Sequence, residues 1–406
     1  MSFRKRFAGA SVLVAAASAL VLLATCSSGS RQSASGVEVV HMPAGTARYF
    51  PGEAPFAVGA IPDAVLHDSQ RDKDVTMAVE YPSRGGPYPV IIFSHAYGSS
   101  KDAYTPLTEY WVGHGYICIR PSHADAGVIR VPLLPRPEPA RERGRNRTRS
   151  RGNATVRTEP PRPAPETLWQ GQTTADWANR ARDISFIIDS IGDLEQKYPE
   201  LAGKIDRTKI GVGGDNYGAF TAMLVAGMTS FKTTPPLHPA DSRVRAALAM
   251  SPQGVSDVLG LTPDSWRDVK IPMMFMTGSL DRGLGENGDP KWRHDAFADS
   301  PAGDKYFISF TGASQKTFAG GVGAISDSEI YRGRPQTDVY GNPINTPPPM
   351  RSATVMNPGR RIFGSVEMAS IGFWDAYLKN DSNAKEYLND PAFPTLNGGA
   401  VVVERK

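Results

Sequence analysis

Short runs of apolar residues recur along most of the chain, and Gly, Pro or charged residues bound them. The run at residues 90–93 is continuous rather than alternating, which is typical of a strand buried on both faces of a sheet. The same pattern predicts strands at residues 75–79, 90–93, 116–119, 209–212, 244–250, 271–276 and 306–310.

Amphipathic stretches separate these runs. Trp177, Ala181, Ile184 and Ile188 are spaced by four, three and four residues, so they form one stripe along a helix. Because strands alternate with helices, the sequence predicts an α/β fold with a doubly wound, mostly parallel sheet. The other predicted helices lie at residues 105–112, 219–226 and 366–378.

The length and composition fit one large domain. Hydrophobic residues make up 40% of the 406-residue chain, which is enough to fill a core. Folds of this class commonly extend over about 250–300 residues around one core. We therefore assign a single domain to residues 60–400, preceded by a flexible tether at residues 27–59 that is rich in Ser, Gly, Ala and Pro.

Two long segments interrupt this domain. Residues 134–165 are rich in Arg and Pro and lack an apolar stripe, so they are predicted to be a disordered basic insertion. This insertion carries most of the excess behind the formal charge of +4. It either binds anionic lipid headgroups or polyanions near the membrane, or it is a solvated loop. Residues 323–360, which include three consecutive prolines, are predicted to be a second long loop.

The first residues resemble an export signal. Arg4, Lys5 and Arg6 precede an apolar stretch at residues 8–24 that is short for a membrane span. The stretch ends in a sequence similar to a bacterial lipobox, which implies that residues 1–26 are a lipoprotein-type signal peptide and that Cys26 is lipidated. The protein is then anchored at the cell envelope, on the outer membrane if the cell has two membranes. A secreted protein and an uncleaved anchor are the alternatives.

One pentapeptide indicates a site. The strand at residues 209–212 leads into Gly214-Asp215-Asn216-Tyr217-Gly218 and then into a helix. This is the context of the G-x-S-x-G turn of α/β-hydrolases, in which glycines flank a strained nucleophile. Asn216 stands at the nucleophile position. Asparagine tolerates a positive φ, so it can keep the turn folded without supplying a nucleophile.

The chain resembles the dienelactone-hydrolase-like branch of the α/β-hydrolases, whose relatives include platelet-activating-factor acetylhydrolases and polyester hydrolases. The resemblance rests on residues 94–99, 210–222, 275–282 and 373–378. It implies that the backbone N–H groups of Tyr97 and Tyr217 form an oxyanion hole, that Gly214 and Gly218 are the elbow glycines, that Asp281 is the acid of the triad, and that Gln315 stands where relatives carry histidine.

Neither Asn216 nor Gln315 can perform the proton transfer and attack that ester hydrolysis requires. The sequence therefore predicts a pseudoenzyme that retains a pocket for a small ester, lipid or polymer fragment, or for a protein partner. An active carboxylic-ester hydrolase is the first alternative; in it, His123, His294 or Ser251 would contribute to an unrecognised site. A membrane-surface tether acting through the basic insertion is the second.

Other classes of site have no support in the sequence. No cluster with metal-ligand spacing, no phosphate-binding glycine loop beside a lysine and no nucleic-acid-binding module is present, so no cofactor, metal or nucleic-acid partner is expected. Besides Cys26 the chain contains only Cys118, so the mature protein has no intrachain disulfide available.

Overall fold

The computed structural model describes residue 49 and residues 53–127, 172–282, 290–320, 358–396 and 401–406. The predicted signal peptide with Cys26, the basic insertion at residues 134–165, and most of the tether and of the loop at residues 323–360 lie outside the described residues.

A single mixed sheet organises the described part of the chain, in which nine strands pair in the order β1-β2-β4-β3-β5-β6-β7-β8-β9. The strands from β4 to β8 along this order are parallel neighbours, whereas β1 with β2, β2 with β4 and β8 with β9 are antiparallel. The strands are β1 (Val58–Asp68), β2 (Lys73–Pro82), β3 (Tyr88–Ser94), β4 (Ile117–Pro121), β5 (Ile205–Asp215), β6 (Val244–Met250), β7 (Met273–Gly278), β8 (Lys305–Phe310) and β9 (Val401–Arg405).

Helices cover both faces of the sheet. Side chains alternate between the faces, so Ile91 and Phe93 of β3 pack on one side while Val90 and Ile92 pack on the other. The helices are α1 (Thr105–Gly113), α2 (Thr174–Asp189), α3 (Ile191–Lys197), α4 (Tyr217–Val225), α5 (Asp295–Ala298), α6 (Gln315–Phe318), α7 (Pro358–Leu378), α8 (Ser382–Asn389) and α9 (Phe393–Leu396), with 3-10 turns at Pro199–Leu201, Pro263–Trp266 and Pro290–His294.

The two faces have separate cores. Trp111 of α1 and Trp374 of α7 pack edge to face on one side of the sheet, with ring centroids 5.9 Å apart. Ile184 and Ile187 of α2 and Val225 of α4 pack on the opposite side. The stripe that the sequence predicted for α2 is confirmed, because Trp177, Ala181, Ile184 and Ile188 are all buried. The arrangement is an α/β fold with a mostly parallel sheet, as expected.

Each predicted strand overlaps an observed one, but the sequence analysis missed the two edge strands. β1 pairs with the sheet along only one of its edges, so most positions in its first half are exposed or half-buried. It therefore lacks the continuous apolar run by which the inner strands were predicted. The sheet also continues past residue 400, where the domain was expected to end, because β9 pairs with β8. No helix within the described ranges is long and apolar enough to cross a bilayer.

Candidate functional site

The turn between β5 and α4 is sharp and tightly packed. Asn216 at its centre has φ 53° and ψ −109°. A Cβ atom on Gly218 would lie 1.9 Å from the Ser94 carbonyl oxygen, and one on Gly214 would lie 2.3 Å from the Gly218 backbone. Only glycine fits at both positions, so the backbone has the geometry that a strand-to-helix elbow requires.

The backbone of Asn216 is held on both sides. Its N–H donates to the Met250 carbonyl at 2.9 Å, and its carbonyl accepts from Gln253 Nε2 at 2.9 Å. The Asn216 side chain is half-buried and makes no hydrogen bond to any described residue. The hydrogen-bonding groups of the Asn216 carboxamide are therefore available at the turn.

The loop after β3 lies directly beside this elbow, because Ser94 is in register with Gly214 on the neighbouring strand. The rings of Tyr97 and Tyr217 have centroids 6.1 Å apart. The two segments that were predicted to supply an oxyanion hole are therefore adjacent.

Arg180 of α2 fixes that loop. Its Nη1 donates to the His95 carbonyl at 2.7 Å, and its Nη2 pairs with Asp125 at 2.7 Å. Asp125 accepts in turn from the Gly98 N–H at 3.3 Å. The guanidinium also stacks over the Tyr217 ring, 4.0 Å from its centroid. One buried cation thus joins the loop after β3 to the first residue of α4.

Asp281 follows β7 and is buried, but its partner is not the residue at the histidine position. Arg293 Nε binds its Oδ1 at 2.9 Å, and Thr277 Oγ1 donates to its Oδ2 at 3.0 Å. Burial raises the pKa of Asp281, although Arg293 opposes the shift. The sequence pointed to His294 as a candidate but gave no sign that its neighbour Arg293 binds Asp281.

Gln315 begins α6 just after β8 and is half-buried. Its loop lies against the acid loop, since the Leu280 N–H donates to the Ala313 carbonyl at 2.9 Å. No hydrogen bond within the described part of the chain joins Gln315 to Asp281. The structure places Asn216, Asp281 and Gln315 at the carboxyl ends of β5, β7 and β8, along one edge of the sheet.

A buried Ser–His–Asp chain lies behind the elbow. Ser94 Oγ is 2.9 Å from His123 Nε2, and His123 Nδ1 is 2.9 Å from Asp183 Oδ2. Burial and the nearby Arg180 lower the pKa of His123 to about 4, so the imidazole is neutral at pH 7. The carboxylate partner assigns the proton to Nδ1 and leaves Nε2 to accept from the serine hydroxyl.

His123 was a candidate from the sequence, but its pairing with Ser94 was not predicted. Both residues follow or end neighbouring parallel strands, β4 and β3, and this adjacency was the signal available. Asp183 lies on the buried face of α2, next to Ile184 of the predicted stripe. Only the packing of this helix against the sheet shows that Asp183 reaches His123.

The comparisons with known proteins add no assignment: no protein-family model matches the chain, and no curated protein matches it. Within the described ranges, no group of three or more His, Cys, Asp or Glu side chains is arranged to hold a metal ion.

The elbow packing predicts a large effect of a single methyl group. We expect Gly218→Ala to destabilise the fold by about 3 kcal/mol or more, because its Cβ would overlap backbone that cannot move aside. Gly364→Ala is the matched control. Nothing lies within 4 Å of a Cβ at that helical position, so this change should be neutral or stabilising by up to about 1 kcal/mol. Urea unfolding of both variants measures the difference, and equal stabilities would refute the packing.

The pKa of His123 predicts how stability depends on pH. The folded protein keeps this imidazole neutral down to about pH 4, whereas the unfolded chain takes up a proton near its ordinary value of 6.5. Stability is therefore lost as the pH falls. Between pH 7 and pH 5 we expect a loss of about 2 kcal/mol from this residue, at about 1.36 kcal/mol per pKa unit.

The measurement compares urea unfolding of the wild type and of His123→Gln at pH 7 and pH 5. Burial also lowers the pKa of His95, which acts in the same direction and remains in the variant. The variant should therefore keep part of the pH dependence. Identical slopes in the two proteins would show that His123 is not buried in its neutral form.

Proposed function

We propose that the chain is an exported, lipid-anchored protein of the α/β-hydrolase fold, similar to the dienelactone-hydrolase-like branch, that binds a ligand at the elbow without hydrolysing it. The observation that carries this proposal is the intact elbow around Asn216, whose side chain is half-buried and makes no hydrogen bond to any described residue.

The order of the site elements along the chain supports the hydrolase fold. In these enzymes the nucleophile elbow joins a strand to a helix, an oxyanion N–H comes from the loop between the third strand and the next helix, and the acid and histidine follow later. Here the loop at residues 95–98 lies between β3 and α1, Asn216 follows β5, Asp281 follows β7 and Gln315 follows β8.

The side chains support loss of hydrolysis. A carboxamide cannot be activated by a base, and glutamine does not exchange a proton near neutral pH. Asp281 is already paired with Arg293, whose positive charge neutralises the carboxylate that would stabilise an imidazolium. What remains is an amide that can donate to a carbonyl or hydroxyl and accept from a hydroxyl. This chemistry suits a small ester, a lipid or a polymer fragment.

A panel of three proteins tests this proposal with p-nitrophenyl butyrate. We expect wild type, Asp281→Ala and Ser94→Ala all to hydrolyse the ester no faster than buffer. Activity that disappears in Asp281→Ala would mean that the elbow site is catalytic and would overturn the proposal.

A double substitution tests the retained frame. We expect Asn216→Ser combined with Gln315→His to create esterase activity that neither single change creates. In a serine protease, losing the serine or the histidine alone lowers kcat on the order of a millionfold, about as much as losing the whole triad. Circular dichroism and the Tm verify that the double variant is folded. A folded double variant without activity would show that the loops no longer present a hydrolase geometry.

The Ser94–His123–Asp183 chain favours a second candidate, an esterase with Ser94 as nucleophile. Its hydrogen bonds have the polarity of a catalytic triad. Its burial argues against it, because Ser94 is 0% exposed and Asp183 also pairs with Arg71 and Lys73. In the same panel, activity lost in Ser94→Ala but kept in Asp281→Ala would support this candidate.

A further inference from the structure

A partly open cleft of about 860 Å³, here called the β1–α2 cleft, lies at the edge of the sheet that β1 forms. Residues 66–71, at the end of β1 and in the turn after it, line one side. Residues of α2 and of the start of α3, between positions 182 and 193, line the other. Its volume lies within the range of about 300–1,000 Å³ that is typical of small-molecule sites.

The β1–α2 cleft is separate from the elbow. In the order of the strands, β2, β4 and β3 lie between β1 and β5, which carries Asn216 at its end. None of the residues that line the cleft belongs to the elbow, to the loop at residues 95–98 or to the loops that carry Asp281 and Gln315. A ligand in the cleft would therefore occupy a second site.

Buried ion pairs join the two sides of the cleft. Arg71, in the turn after β1, binds Asp68 at 2.5 Å and Asp183 of α2 at 2.7 Å. Lys73 at the start of β2 binds Asp183 at 2.7 Å as well. Separating a buried ion pair leaves an uncompensated charge, so these contacts hold the turn against the helix. The cleft is thus formed before a ligand arrives, which lowers the entropy cost of binding.

The lining of the cleft is polar. Of its twelve residues only Leu66 and Phe186 are apolar, so the cleft does not suit an apolar ligand. The side chains of Gln70, Arg182 and Asp193 are exposed and make no hydrogen bond or ion pair with any described residue. They offer a carboxamide that donates and accepts, a guanidinium that only donates and a carboxylate that only accepts.

The charges of the lining favour a neutral ligand. Arg182 is positive, whereas Asp193 and Asp189 are negative, and Asp189 is paired with Arg243 at 2.5 Å. An anion would be attracted to Arg182 but repelled by the two carboxylates, and a cation would meet the opposite difficulty. A hydroxyl group both donates and accepts, so a ligand with several hydroxyl groups can satisfy the guanidinium and the carboxylates together.

We propose that the β1–α2 cleft binds a neutral saccharide. Arg182 and Gln70 donate to hydroxyl oxygens of the sugar, and Asp193 accepts from its hydroxyl groups. The half-buried Phe186 supplies apolar surface against which the C–H groups of a sugar ring can pack. This binding is an activity in addition to the one proposed for the elbow and does not depend on it.

The test is binding of the fluorescently labelled full protein to an array of neutral, acidic and amino oligosaccharides. We expect binding to neutral oligosaccharides and weaker binding to forms of the same backbone that carry a net charge. Triacetylchitotriose and its deacetylated form, chitotriose, are one such matched pair. Isothermal titration calorimetry with the neutral oligosaccharide that gives the strongest signal then supplies the Kd.

Two variants and one control locate the site. Arg182→Gln and Asp193→Ala alter exposed side chains without described partners, so neither change should disturb the fold. Each should raise the Kd about tenfold, as expected for the loss of a hydrogen bond to a charged group. Arg267→Gln alters an arginine that is 62% exposed and does not line the cleft, so it should bind like the wild type.

An array without binding to any neutral oligosaccharide would contradict the proposal, and so would binding to acidic oligosaccharides alone, which would indicate an anion site. A Kd that is unchanged in both Arg182→Gln and Asp193→Ala would place the saccharide elsewhere and would contradict it too. The ester assays report on the elbow, so failure of one proposal can be told apart from failure of the other.

Discussion

The contact between Gly218 and the Ser94 carbonyl is the constraint on which the rest of the site depends. A Cβ at position 218 would come within 1.9 Å of that oxygen, so the start of α4 passes as close to the end of β3 as backbone can. This approach forces the turn at Asn216 into a positive φ and brings the loop after β3 beside it. The frame of the site is thus built from backbone, and it survives whichever side chain stands at position 216.

Two buried arginine side chains hold the loops around this frame. Arg180 fixes the loop after β3 through the His95 carbonyl and Asp125, while Arg293 fixes the loops after β6 and β7 through their carbonyls and Asp281. Separating a buried ion pair leaves an uncompensated charge and strongly destabilises the protein. Each pair therefore keeps its loop in one conformation. A ligand site can therefore remain shaped after its catalytic groups have been replaced. In the proposed account, binding has been separated from chemistry in this way.

The sequence was sufficient for the features that follow from local pattern. Continuous apolar runs such as residues 90–93 gave the inner strands, and the flanking glycines gave the elbow with Asn216 at its centre. The two edge strands were harder to predict. In β1, Pro62 and Asp63 interrupt the apolar residues where the register with β2 shifts, so the strand shows no continuous apolar run. β9 is a short strand after a region without periodicity.

The side-chain partners could not be predicted, because they depend on how distant segments pack. Asp281 was placed correctly at the end of a strand, yet its pairing with Arg293 depends on a turn that returns to the sheet. Ser94, His123 and Asp183 come from three separate elements, and nothing in their spacing along the chain announces contact. Ser251, directly after β6, has a φ of 53°, and its carbonyl accepts from Arg293 Nη1 at 2.6 Å, a contact that its neighbours in the sequence do not predict.

The central claim is that the elbow is preserved while its catalytic chemistry has been lost. Its most direct test is mass spectrometry after treatment with a fluorophosphonate, a reagent that captures an activated serine. We expect the folded Asn216→Ser, Gln315→His double variant to gain one adduct, on the peptide that contains position 216, and the wild type to gain none. An adduct on wild-type protein, above all on the peptide containing Ser94, would contradict this account.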